Sequence, residues 1–211
     1  MAITEEEFKY YIDEMINGDA KAAYYVAYCY LNGEVVKQDN YLGFKYLKVS
    51  AGLGYMIAMY YMLSLHLGNE VNGLIMDRDY AEAIEWAKVL SFANLFFNIE
   101  PEEMEYIYIG KMELALYYAN SARSQNEQKK GFIMMKELAD MGFPDAQYNM
   151  ALYYINAIGT RYDYNLARQY ADACRYNSNN DVYGNKNSFQ KREVAKDAAE
   201  RSDPGGNDQS V

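Results

Sequence analysis

Proline, cysteine, histidine and long apolar runs are all scarce in this chain, and each scarcity excludes something. Three prolines in 211 residues leave room for neither a Pro-rich linker nor a collagen-like repeat. The two cysteines, Cys29 and Cys174, lie far apart without a CxxC pair, so neither a zinc site nor a disulfide framework is expected. Both read as small buried thiols, and their rarity suits a reducing compartment. His66 is the single histidine, and no local motif brings it the partner that acid–base catalysis needs. No stretch approaches the ~18 apolar residues of a membrane-crossing helix. Bases are the minority charge, 20 against 30 acids for a net −10. Displacing counterions from phosphates needs the opposite sign, so nucleic acid is not expected as a partner. The opening Met-Ala-Ile-Thr-Glu-Glu-Glu is acidic where a secretory signal is basic and then apolar. The expected compartment is the cytoplasm.

What the chain has instead is tyrosine: 24 Tyr and 8 Phe, within a hydrophobic fraction of 51%. A chain of this length buries roughly 70% of its unfolded surface and needs no metal or disulfide to hold it. Acids cluster in two runs: Glu5, Glu6, Glu7, Asp13, Glu14 and Asp19, then Glu100, Glu102, Glu103 and Glu105. Each reads either as a solvated helix N-terminus, where acids complement the dipole, or as a docking surface for a basic partner. In the second run, Pro101 suits a helix start.

The sequence repeats itself. Segments starting at Ala22, Ala58, Gly110 and Ala146 superpose. Offset +4 is Val26, Met62, Leu114 and Met150; offset +5 is Ala27, Leu63, Ala115 and Ala151; offset +8 is Tyr30, His66, Tyr118 and Tyr154. These offsets share one face of a helix, here helix A. A second pattern follows each, with a small residue at Gly43, Ala83, Gly131 and Ala167. Four residues earlier stand Asp39, Asp79, Glu127 and Asp163; the aspartates are natural N-caps, and Glu127 fits less well. Eleven residues after the small one come Gly54, Asn94, Gly142 and Ser178, of which Gly and Asn suit a left-handed helix stop. This is helix B. The basic period is 36 residues, and repeat two carries insertions of 4 and 12. The shorter enlarges the A–B loop around Asn69–Asp77. The longer lies between Ser91 and Ile109 and holds Leu95, Phe96 and Phe97. Its apolar cluster reads either as core that lengthens helix B or as an interaction patch.

The N-terminus fits as a lone helix B over 5–17, opened by a capping box at Thr4 and Glu7. Its apolar stripe is Phe8, Tyr11, Ile12, Met15 and Ile16. A terminal helix of this kind shields the core of a stacked array. The organisation is thus a capping helix over 1–18, four helix pairs over 19–176 (about 22–57, 58–109, 110–145 and 146–176), and a cap or flexible tail over 177–211.

Asp145-Ala-Gln-Tyr-Asn-Met-Ala-Leu-Tyr-Tyr154, Tyr30-Leu-Asn-Gly-Glu-Val35 with Asp39, and Asp79-Tyr-Ala-Glu-Ala-Ile-Glu-Trp86 carry a resemblance. The chain resembles the Sel-one-like repeat family, relatives of the tetratricopeptide repeats, over about residues 7–176. It departs in the insertions of repeat two, and in repeat three, where Asn120-Ser-Ala-Arg-Ser replaces the turn glycine. It also lacks the cysteine pair that staples each repeat in secreted members. The resemblance implies an all-α fold, a right-handed α-solenoid of antiparallel helix pairs. It also implies a non-catalytic module that binds a protein or peptide on the concave face of helices A.

Offsets +2, +6 and +9 are expected to face that groove: Tyr24, Tyr28 and Leu31; Tyr60, Ser64 and Leu67; Met112, Leu116 and Ala119; Tyr148, Leu152 and Ile155. Tyrosine offers a large ring and a hydroxyl to a partner, or else packs between helices. The partner-binding candidates are Tyr25, Tyr28, Tyr61, Ser64, Leu116, Tyr148 and Leu152, with Phe96 and Phe97 of the insertion. No catalytic residue, metal or cofactor is expected. His66 reads as a packed, hydrogen-bonded residue in a tyrosine position. The partner is a protein or peptide, basic if the acidic runs are a docking surface. The alternative reading is an immunity or inhibitor protein that neutralises one effector.

Overall fold

Helix-forming chemistry recurs at regular intervals, and a computed structural model describes its outcome for residues 3–93, 103–120 and 124–179. Among these residues there are helices and one isolated β-bridge, but no strand. The helices are α1 (Glu5–Ile16), α2 (Ala20–Asn32), α3 (Asn40–Gly52), α4 (Met56–His66), α5 (Tyr80–Ser91), α6 (Met104–Ala119), α7 (Gln125–Asp140), α8 (Pro144–Asn156) and α9 (Tyr164–Asn179). Two compact units emerge, Met1–Leu114 and Ala115–Val211. In the first, α1 to α5 pack each on the next; in the second, α7 packs on α8 and α8 on α9.

The helix starts follow the expected caps, with one exception. Thr4 and Glu7 form the capping box, and Asp39 and Asp79 accept from first-turn amides of α3 and α5. Asp163 takes the Leu166 amide at 3.0 Å. In α7 the cap is Ser124 and not Glu127: Ser124 Oγ accepts from the Glu127 amide at 3.1 Å. A hydroxyl one carbon from the backbone reaches the free amides, whereas a glutamate at that position already lies in the first turn. Gly18, Gly54 and Gly142 end their helices at φ 94°, 103° and 97°.

In three of the repeats helix A meets its helix B through the same backbone clasp. The carbonyl at offset +8 accepts the amide of the helix B cap in Tyr30–Asp39 (2.9 Å), His66–Asp79 (2.9 Å) and Tyr154–Asp163 (3.2 Å). The second pair is four residues further apart in sequence, so the short insertion bulges out without disturbing the clasp. It folds as a tight turn. Val71 and Leu74 exchange both backbone hydrogen bonds at 2.9 Å, and Asn72 and Gly73 between them have φ of 49° and 76°, the signature of a type I′ hairpin.

Core residues fall where the period puts them. Offsets +4 and +5 are buried in all four copies. Phe8 caps the first layer beside Val26 and Cys29, with Tyr11, Ile12 and Met15 packed around them. Ile16 departs from the expected stripe: it is the last residue of α1 and stands 73% exposed. The long insertion does not extend α5, which ends at Ser91 with Phe92 half exposed. Instead residues 104–109 lengthen α6 at its N-terminus, burying Ile107 and bringing Gly110 against Leu90 and Ala87.

Candidate functional site

One helix must serve two faces, and the period separates them. At about 100° per residue, offsets +4, +5 and +8 lie on one side of helix A and offsets +2, +3 and +6 on roughly the opposite side. In the first unit the second set is Tyr24, Tyr25 and Tyr28 on α2, and Tyr60, Tyr61 and Ser64 on α4. Offset +9 falls between the sets and was expected in the groove, but Leu31 and Ala119 are each 1% exposed. Leu31 fills the slot left by the absent side chain of Gly43, whose Cβ would stand 2.6 Å from Leu31 Cγ. At Gly131 it is the α6 backbone itself, at Ala115 and Ala119, that comes close.

The tyrosines of this face form a continuous chain of rings within the first unit. Tyr11 of α1 stacks on Tyr25 at 4.7 Å, and Tyr25 meets Tyr24 at 5.6 Å. Tyr24 then reaches Tyr55 at 5.2 Å and Tyr61 at 6.0 Å. Tyr61 leads to Tyr60 at 5.8 Å, and Tyr60 to Tyr106 of α6 at 5.3 Å. Each contact lies in the favourable range for aromatic pairs, about 0.5–1.5 kcal/mol apiece. All seven rings are half-buried, so they join neighbouring helices A while keeping part of their surface open.

Carboxylates surround these rings. Tyr28 donates to Glu34 Oε1 at 3.5 Å, and the negative charge of Glu34 raises the Tyr28 pKa. Burial raises Tyr55 to about 12, with Tyr25 and Glu103 adding to it. Burial also raises Tyr106, helped by Glu105. Tyr24 is raised by burial and by its hydrogen bond with Tyr61. The charge balance of the chain agrees. Residues 1–114 hold 18 acids and 8 bases, while residues 115–211 hold 12 of each. The whole net charge of −10 therefore belongs to the first unit.

Beside this face, Tyr60, Tyr61 and Ser64 of α4 and Asn69, Glu70, Val71 and Asn72 of the hairpin line a cavity of about 300 Å³. Of the sequence candidates, Tyr25, Tyr28, Tyr61 and Ser64 thus come together in the first unit. Leu116, Tyr148 and Leu152 lie in the second, each half-buried, with burial raising the Tyr148 pKa. Phe96 and Phe97 lie outside the described residues. The hairpin residues escaped the sequence reading, although Asn-Gly between two apolar residues is a strong turn signal.

The other candidates for chemistry are quiet. His66 Nδ1 lies 2.7 Å from the Met62 carbonyl and is 8% exposed, packed and bonded as its tyrosine position implies. Burial pushes the Cys29 thiol up to about 11, with Glu34 contributing; this suppresses its thiolate. Among the described residues, no group of three His, Cys, Asp or Glu is placed to hold a metal. Nor is any helix among them long and apolar enough to cross a membrane.

Residues 20–55, 57–88 and 144–172 match the family model described as Sel1 repeat. The unmatched stretch between the second and third matches contains α6 and α7, where the turn glycine is missing and the cap has moved to Ser124. No curated protein matches the chain. Among solved structures, a Sel1 repeat protein from Oxalobacter formigenes superposes with a TM-score of 0.55 at 19% identity, over 82% of this chain and 62% of that one. A second is c5321, a protective antigen present in uropathogenic Escherichia coli strains that displays an SLR fold. It covers 79% of this chain and 40% of that one, at 19% identity and a TM-score of 0.40. This chain therefore spans less than two thirds of either solved chain. The first likeness shows the fold, an α-solenoid of helix pairs. With helices A and B clasped alike in three copies and three segments matching one family, the chain carries three Sel1 repeats.

Proposed function

We propose that the chain is a non-catalytic, cytoplasmic interaction module whose helix A face in residues 1–114 holds a basic segment of another protein. Sel1 repeats generally mediate protein–protein interaction, which supplies the class. The observation that carries the finer reading is the half-buried tyrosine chain from Tyr11 to Tyr106, edged by Glu34, Glu103 and Glu105, in the unit that owns the whole negative charge. Tyrosines supply rigid contact area at low entropic cost, and carboxylates favour an oppositely charged partner and speed its approach. The same charge asymmetry favours a narrower version, an inhibitor that neutralises one basic effector.

The test is affinity capture from the source cell, followed by titration of the recovered partner. Tyr28→Ala and Tyr61→Ala together should weaken binding by about tenfold or more, the scale of lost hot-spot contacts. Raising the salt concentration should weaken it further. A partner bound with equal affinity by the double variant and at high salt would refute this reading.

A further inference from the structure

We propose that the cavity between α4 and the Val71–Leu74 hairpin is a subsite for one arginine side chain of the bound segment. The inference rests on the peptide-binding reading of the helix A face and names what one part of that face recognises.

Four features point to a guanidinium. The first is an unused polar group. Ser64 is 7% exposed and lines the cavity, and no hydrogen bond joins its Oγ to another described residue. A hydroxyl on the wall of a cavity can both accept from and donate to an occupant. The second is the acceptor set. Ser64, Asn69, Glu70 and Asn72 share the lining, and their side chains carry a hydroxyl, two amides and a carboxylate that can accept hydrogen bonds. That set offers more acceptors than the three donors of an ammonium can use, and suits the five donors of a guanidinium. The third is the aromatic wall. Tyr60 and Tyr61 line the same space, and a planar guanidinium stacks on such rings. The second unit already shows this type of contact, with Lys130 Nζ 4.0 Å from the centre of the Tyr118 ring. The fourth is charge: Glu70 and the acid surplus of residues 1–114 disfavour an anionic occupant.

The site is also built rather than incidental. Asn72 holds a left-handed φ of 49° because the type I′ turn requires it. Val71 and Leu74 anchor the hairpin by burial, at 7% and 8% exposure. The backbone that presents Glu70 and Asn72 is therefore set before a ligand arrives, which lowers the cost of binding. A volume of about 300 Å³ is at the small end of ligand cavities and suits one side chain rather than a whole peptide.

The test titrates the isotope-labelled full chain with N-acetyl-L-arginine methylamide and follows the backbone amides by NMR. Shifts concentrated on Ser64, Asn69, Glu70, Val71 and Asn72 are expected, and the neutral citrulline analogue should leave these amides in place. Glu70→Gln, a change on an exposed loop, should weaken the arginine probe by about fivefold, the scale of an exposed ion pair, with unchanged circular dichroism. Equal shifts from the citrulline or lysine analogue would overturn the proposal. So would undiminished binding by Glu70→Gln, or shifts scattered over surface carboxylates away from the cavity. The probe needs no protein partner, so its failure removes the subsite alone. The wider reading of the face stands or falls on Tyr28→Ala and Tyr61→Ala.

Discussion

Gly131 of α7 packs directly on the α6 backbone, and Gly131→Ala tests whether small residues set the spacing of the helix pairs. A Cβ built at that position would stand 2.6 Å from the Ala115 carbonyl oxygen and 2.9 Å from Ala119 Cα, with the Ala119 amide nitrogen nearer still. All three neighbours are backbone, so no side chain can turn aside and the helices must separate. Overpacking of this kind costs about 1–3 kcal/mol, and rigid neighbours place it at the upper end. Against that, alanine gains about 1 kcal/mol over glycine inside a helix. The net expectation is a loss of about 2 kcal/mol. For a unit of roughly 100 residues, each kcal/mol moves Tm by about 4–8 °C, so Tm should fall by roughly 10 °C. Gly52→Ala is the control: at the end of α3 a Cβ there meets nothing within 4 Å, and stability should hold or rise slightly. Thermal and urea unfolding followed by far-UV circular dichroism would measure both variants. Gly131→Ala as stable as the parent chain would refute the close-approach argument.

Two further expectations concern tyrosine hydroxyls. Tyr153 is 3% exposed and its hydroxyl has no hydrogen-bond partner among the described residues; Tyr153→Phe should therefore stabilise the chain by about 1 kcal/mol or more, read as a higher urea midpoint, and a lower midpoint would contradict this. Burial raises the pKa of Tyr24, Tyr55 and Tyr153 in the folded chain, above the ~10 of an unfolded tyrosine. The folded state then holds its protons longer, so this contribution to stability is whole below pH 10 and is lost as pH rises through the folded values, about 12 for Tyr55. Urea midpoints should fall between pH 10 and 12, with tyrosinate absorbance lagging behind that of free tyrosine; complete ionisation near pH 10 in the folded chain would count against it.

The features legible in the sequence are those decided within a turn or two of chain. Asp39, Asp79 and the Thr4–Glu7 pair cap their helices because an acceptor at that position reaches free amides whatever surrounds it. Offsets +4 and +5 are buried because helical geometry alone gives them a common face. The misses need a neighbour to be explained. Leu31 and Ala119 lie on the flank of helix A, and only the crossing of helix B over Gly43 and Gly131 decides that the flank is covered. Ile16 continues a stripe that has run out of helix to pack against. The lengthened start of α6 depends on where Gly110 finds room beside Ala87 and Leu90. In the candidate site, the offsets identified Tyr28, Tyr61 and Ser64 as one face. The cavity beside them could not be read from α4 alone, because its other wall is a hairpin counted only as four extra residues.

The choice of tyrosine over phenylalanine is itself an argument about that face. If the rings of Tyr25, Tyr24, Tyr61 and Tyr60 served only to glue α2 to α4, phenylalanine would bury the same ring without a hydroxyl to desolvate. Offsets +4 and +5, which do serve packing alone, carry Val26, Ala27, Met62 and Leu63 and no polar group. Hydroxyls on the opposite side cost little where the surface meets water, and they offer donors and acceptors where it meets a partner. One helix thus separates two faces by angle: offsets +4 and +5 fix the stack, and the opposite tyrosines are those proposed above to meet the partner. Substitutions on the first side should register in unfolding experiments, those at Tyr28 chiefly in binding, and those at Tyr61 in both, because its ring also packs on Tyr24 and Tyr60.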